Sequence, residues 1–174
     1  MPKQLVFTPP ELINKNHDKN TFDCGNDSLN IFLKNYSLQN DKNNSSRTYV
    51  AGNKKDNLII GYYTLTYGSI AYGQATPSVK KNMPQYPIPV MLLARLAVDK
   101  KYKNLGVGTG LLKDALLRTM QASEIAGLRA IITHAKDNSA KQFYLKHGFK
   151  ESPLDNYHMM ISLKEIGLLF NNAK

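Results

Sequence analysis

An α/β fold, with a mixed sheet carrying helices on its faces, is what this chain of 174 residues predicts. Three observations carry that reading. Helix and strand patterns follow one another in the order α–β–β–β–α–β–α–β. The segment VMLLARLAV is apolar almost throughout, as a strand buried on both faces should be. After it and the polar DKKYKN, LGVGTG leads into a leucine-rich helical pattern, which makes a strand–turn–helix junction. No repeat, linker or low-complexity stretch divides the chain, so residues 1–174 are expected to form one domain.

Each element has its own signal. In CGNDSLNIFLKNYSLQ, Asn26 or Asp27 caps a helix, and Leu29, Phe32, Leu33 and Tyr36 then share one face. RTYVAGN and NLIIGYYTLTYGSI are rich in β-formers and split by the polar KKDN, which predicts a hairpin. AYGQATPSVKKNMPQYPIPV, broken by prolines, is an ordered loop or short helix feeding the apolar strand. After the glycines, Leu111, Leu112, Ala115, Leu116 and Met120 form the core stripe of a helix. LRAIITHA is a further strand, DNSAKQFYLKHG a short helix capped by Asp137 or Asn138 and stopped by Gly148, and YHMMISL the last strand.

Composition narrows the function. A 42% hydrophobic and 21% charged chain is ordinary for a globular protein, and its apolar runs are too short and too interrupted to span a membrane. The N-terminal segment has no apolar signal-peptide core, so a cytoplasmic location is expected. Cys24 stands alone, which excludes an internal disulfide, and no metal-ligand spacing surrounds it. Lysine and arginine outnumber acidic residues 23 to 13, a net charge of +10 that suits a polyanionic partner such as nucleic acid, although many basic proteins bind nothing specific.

The glycines Gly106, Gly108 and Gly110 stand where a helix begins. Free main-chain N–H groups converge there, and the helix dipole adds roughly half a positive charge. Glycine lets a phosphate approach the backbone, and Lys100, Lys101 and Lys103 add cations around the rim. A packing turn is the alternative. A Walker loop is excluded because no Lys-Ser or Lys-Thr follows, and a dinucleotide-binding βαβ unit because the glycines come after three strands.

KNLGVG resembles the R/Q-x-x-G-x-G/A signature with which GNAT acetyltransferases hold the diphosphate of acetyl-CoA, and NSAKQFYLKHGF resembles the N-x-x-A-x-x-F-Y-x-x-x-G-F segment of the same superfamily. Lys103 stands where Arg or Gln is usual, and Asn104 where Gly is frequent. From about Phe22 to Leu163, the strings FDCGNDSLNIFLKNYSLQND, IIGYYTLTYGSI, VKKNMPQYPIPVMLLARLAVD and AGLRAIITHAKDNSAKQFYLKHGF resemble the GNAT toxins of bacterial type II toxin–antitoxin modules. The resemblance implies a GNAT fold and an acetyl-CoA-dependent N-acetyltransferase that modifies the α-amino group of an aminoacyl-tRNA and so blocks translation. Resemblance to the branch that carries the LARLAV string implies a lean towards glycyl-tRNA. Acetyl-CoA would be held by Leu96, Ala97, Val98, Lys103, Asn104, Leu105, Gly106, Val107, Gly108, Thr109, Gly110 and Asn138. Within that set a Val98 N–H faces the thioester oxygen, and Asn138 is either a cofactor contact or only a helix cap. Tyr144 would protonate the leaving thiolate, with simple packing beside Phe143 as the other reading. The implied partners are aminoacyl-tRNA, a ribbon-helix-helix antitoxin, operator DNA through the antitoxin complex only, and a second copy of the chain.

The acceptor also follows from what the strand lacks. VMLLARLAV holds no Asp or Glu, whereas deprotonating a lysine amine at pH 7 costs about 4.6 kcal/mol and needs a base. An α-amine, with a pKa of about 7.7–8.0, needs little help. His134 is a candidate base through water, or a structural histidine. Lys34, Lys80, Lys81 and Arg95 are the basic candidates for tRNA, Arg95 reaching either a phosphate or an internal carboxylate. The competing functions are a GNAT enzyme acting on a protein N-terminus, lysine or polyamine, and an antitoxin-bound co-repressor.

Overall fold

A computed structural model gives the structure and describes residues 7–172. In chain order the elements are β1 (Glu11–Leu12), α1 (Asp27–Ile31), α2 (Ser37–Lys42), β2 (Arg47–Gly52), β3 (Ile59–Ile70), α3 (Pro77–Lys80), β4 (Ile88–Val98), α4 (Val107–Ser123), β5 (Ala130–His134), α5 (Asn138–Lys146), β6 (Lys150–Glu151), β7 (His158–Ser162) and α6 (Leu163–Asn171). Among the described residues the strands hydrogen-bond in the order β1-β2-β3-β4-β5-β7-β6. The pairs β1–β2, β2–β3, β5–β7 and β6–β7 are antiparallel and β4–β5 is parallel, so the sheet is mixed as expected.

The chain divides into two compact units, residues 1–66 with 95–115 and residues 67–94 with 116–174. In the first, the expected hairpin pairs Arg47–Gly52 with Ile59–Leu65, with a bulge between Ala51 and Gly52. Phe22, Phe32, Leu33, Val50, Ile59 and Tyr62 bury together as its core. Asn26 caps α1 by accepting from the Leu29 N–H.

The expected helical face breaks at Tyr36. Residues Phe32–Tyr36 form a π turn between α1 and α2, and the extra residue rotates everything after it. Phe32 and Leu33 stay buried, but Tyr36 is 55% exposed and Ser37 takes the inner place, its hydroxyl donating to the Leu33 carbonyl at 2.6 Å.

In the second unit, Ile70, Val79, Ile88, Val90, Ile132 and Met160 form a core. The proline-rich stretch is ordered: a 3-10 turn at Tyr72–Gln74 and α3, whose N-cap Thr76 precedes Pro77. The parallel ladder runs over Val90–Leu92 against Ala130–Ile132, and β4 continues past it to Val98. Burial on both faces does not last the length of that strand. Ala94 is exposed, and Arg95, Leu96 and Val98 are half-buried, because the ladder that covers β4 ends at Leu92.

The sequence reading left out β1, β6 and α6. The last had a readable signal, the capping box SLKE, in which Ser162 and Glu165 satisfy each other's main-chain N–H groups at 2.8 and 3.2 Å.

Candidate active site

The glycine turn belongs to the first unit. Asp99 follows β4 and caps a 3-10 turn at Lys100–Tyr102, after which Asn104 (φ 62°) and Gly106 (φ 82°) both adopt left-handed backbone. Asparagine tolerates that region better than most residues, which explains how Asn104 replaces a glycine. The Gly110 N–H donates to the Gly106 carbonyl at 3.0 Å, so the amides of Val107 and Gly108 lie ahead of the first closed helical turn. Among the described residues, neighbours along the chain and the helix's own backbone aside, nothing lies within 4 Å of the place a Cβ would occupy on Gly106 or Gly110. This open, amide-lined helix start suits an anion.

Gly61 of β3 sets where that helix rests. A Cβ there would stand 2.9 Å from Leu111 Cδ1, 3.1 Å from Val107 Cγ1 and 3.2 Å from the Ala97 carbonyl. The Asp99 N–H donates to Ile60 at 2.8 Å, which fixes the sense of alternation at the end of β4. The main-chain groups of Ala97 turn towards β3 with those of Asp99, while those of Leu96 and Val98 turn the other way. Of the three expected main-chain contacts, Leu96 and Val98 therefore have outward-turned groups.

The lysine rim is partly engaged. Lys100 pairs with Asp23 at 2.6 Å, and the Lys103 ammonium donates to the Cys24 carbonyl at 3.0 Å, leaving Lys101 exposed. Arg95 stacks its guanidinium 3.6 Å from the centroid of Phe32, and among the described residues no carboxylate pairs with it. The internal-carboxylate reading of Arg95 falls, since an aromatic face supplies the partner. Lys34 is half-buried within the π turn.

Tyr144 belongs to the second unit, on α5. Asp137 caps this helix by accepting from the Ala140 N–H at 2.8 Å, so Asn138 is not the cap and stands exposed at the first helical position. Tyr144 is 6% exposed, packed 5.2 Å from each of Phe143 and Phe149. Burial pushes its phenol up to about 12, against a weaker pull from its hydrogen bond with Thr133. Thr133 in turn donates to the Leu93 carbonyl at 2.9 Å, one residue beyond the ladder. Tyr144 is thus a fully protonated phenol at neutral pH, able to give a proton and unable to take one. His134 pairs across strands with His158, ring centroids 5.5 Å apart. Burial and the neighbouring His134 hold the His158 imidazole below its ordinary value.

Lys80 approaches the Tyr72 ring at 5.4 Å, and Lys81 is exposed, its carbonyl accepting from Arg129 at 2.8 Å. Among the described residues no group of three or more His, Cys, Asp or Glu side chains could hold a metal, and no helix is long and apolar enough to cross a membrane. The expected residues from Leu96 to Val98 and from Lys103 to Gly110, with Lys34 and Arg95, fall in the first unit, while Lys80, Lys81, Asn138 and Tyr144 fall in the second. Thr133, Asp23 and the Tyr63–Asp114 hydrogen bond had no signal in the sequence, since each depends on a partner far along the chain.

Residues 44–151 match the family described as the acetyltransferase (GNAT) domain. This chain belongs to the GNAT acetyltransferases. Enzymes of this family draw their acetyl group from acetyl-CoA, and the open helix start suits that cofactor's diphosphate. Over 166 residues the acetyltransferase is 38% identical to the tRNA-acetylating toxin of Mycobacterium tuberculosis (strain ATCC 25618 / H37Rv), covering 95% of this chain and 98% of that one. It resembles AtaT complexed with acetyl-methionyl-tRNAfMet at a TM-score of 0.87 and 27% identity, over 95% of this chain and 99% of the other. A tyrosine-to-phenylalanine mutant of AtaT, bound to the C-terminus of its antitoxin AtaR and to acetyl-CoA, matches at a TM-score of 0.79 and 26% identity, over 94% and 98% of the two chains.

Proposed function

We propose that this GNAT acetyltransferase is a toxin that acetylates the α-amino group of an aminoacyl-tRNA, with glycyl-tRNA its preferred substrate. The observation that carries the reading is the 38% identity with a tRNA-acetylating toxin over 95% of the chain. The lean towards glycine comes from the LARLAV string. Residues 1–174 act as one catalytic domain in the cytoplasm.

Acetyl-CoA supplies an activated thioester. The residues of this chain do the rest. The amides of Val107 and Gly108 with the Lys103–Gly110 turn would hold the diphosphate, and the open space beside Gly106 and Gly110 leaves room for it. Leu96 and Val98 would offer main-chain groups to the pantetheine arm as an added strand would, the Val98 N–H would serve the thioester oxygen, and Ala97 would back them. Asn138, relieved of capping, contacts the cofactor from α5. Tyr144, protonated at neutral pH, would supply the proton that the leaving group of acetyl-CoA needs.

No carboxylate lies within the apolar run of β4, which suits an amine that is largely neutral near pH 7. Lys34, Lys80, Lys81 and Arg95 hold tRNA phosphates. A ribbon-helix-helix antitoxin restrains the enzyme, operator DNA is met through that complex only, and two copies form a homodimer; AtaT bound to the C-terminus of AtaR supports an antitoxin partner.

The deciding experiment incubates the purified protein with radiolabelled acetyl-CoA and separately charged tRNAs. Label on the aminoacyl group, strongest with glycyl-tRNA, is the expected result. Label on protein lysines or polyamines alone would overturn the reading.

A further inference from the structure

The glycine turn is strapped to the segment that leads into α1. Asp99 is only 5% exposed and accepts two main-chain N–H groups, from Lys101 at 2.9 Å and from Asp23 at 3.0 Å. A carboxylate so placed persists only because both oxygens are satisfied. The strap is answered from the other side. The Lys100 N–H donates to the Asp23 carbonyl at 2.9 Å, the Lys100 ammonium reaches the Asp23 carboxylate at 2.6 Å, and the Lys103 ammonium donates to the Cys24 carbonyl at 3.0 Å. Asp23 is itself fixed by the Gly25 N–H at 2.9 Å and the Asn30 amide at 3.0 Å, and Asn30 accepts from the Cys24 N–H at 2.9 Å.

These contacts surround a stretch that has little else to define it. Lys103, Asn104, Leu105 and Gly106 are all exposed, and two of the four have left-handed backbone. A loop that must aim several N–H groups at one anion binds weakly unless it is ordered beforehand. The helix orders it on one side and the strap on the other. The Lys100–Asp23 hydrogen bond, helped by Gly25 and Asn30, holds the Asp23 carboxyl well below the usual range, so the ion pair stays charged at any working pH.

We propose that Asp23 and Asp99 are positioning residues for acetyl-CoA, holding the Lys100–Lys103 segment so that the turn after it presents its amides to the diphosphate. Lys100 and Lys103 act on the cofactor through this strap rather than by reaching the phosphates. The proposal rests on the reading that the turn holds a diphosphate.

Equilibrium binding of coenzyme A and of pantetheine, which ends before the diphosphate, tests it without any acceptor. The wild-type protein should bind coenzyme A far more tightly than pantetheine. Asp99→Asn should weaken coenzyme A about tenfold or more, and Asp23→Asn or Lys100→Gln about two- to fivefold, the scale of an exposed ion pair, with pantetheine unchanged in all three. The last two alter an ion pair at the surface and carry the test if Asp99→Asn does not fold. Unchanged coenzyme A affinity, or equal weakening of both ligands, overturns the positioning role. Equal affinity of the wild type for the two ligands overturns the diphosphate reading and the proposal with it.

Discussion

The Tyr144 phenol keeps its proton because the ionised form would be left among Phe143, Phe149 and the sheet. Tyr144→Phe removes one oxygen and retains the ring, so folding and coenzyme A binding should survive. The rate of acetyl transfer should fall by about a hundredfold or more, as loss of a general acid does, and growth arrest should disappear. Parallel acetylation assays and coenzyme A titrations check both halves. The same burial makes a prediction about alkali. The folded-state phenol titrates above its unfolded value of about 10, so its contribution to stability is complete below about pH 10 and is lost as pH rises through about 12. Base titration followed by circular dichroism should show Tyr144→Phe losing less stability over that window than the wild type.

Gly61 shows why one missing side chain can govern an element. With 2.9 Å to Leu111 and 3.1 Å to Val107, an alanine there pushes against the N-terminal half of α4. Gly61→Ala should cost about 1–3 kcal/mol in denaturant unfolding, the usual range for overpacking, and should weaken coenzyme A binding because the helix start is displaced. Ser162→Ala removes half of the α6 capping box and should cost about 1 kcal/mol, a fall in Tm of a few degrees. Hydrophobic period made α4 and α5 legible in the sequence, and runs of apolar, β-forming residues did the same for the hairpin, β5 and β7, which are buried almost without interruption. What escaped was short or irregular. Two-residue strands such as Lys150–Glu151 have no period to read. The π turn changes period inside one element and moves Tyr36 outward. Around the glycines the sequence showed where a helix would begin, whereas the engagement of Lys100 and Lys103 by the distant Asp23–Cys24 segment could not be read along the chain.

At the scale of the molecule, charge is the quantity that acts at a distance. A net +10 should draw tRNA in and make its capture salt-sensitive. The KM for charged tRNA should rise steeply with ionic strength, and the double variant Lys80→Ala, Lys81→Ala should flatten the log–log slope by about 1–2, one phosphate contact per lysine. Unaltered slope would remove both lysines from the tRNA surface. The two compact units are woven from alternating lengths of chain, since residues 95–115 return to the first after the second has begun. No single break in the chain therefore frees one unit from the other, so neither can be produced alone as one continuous segment.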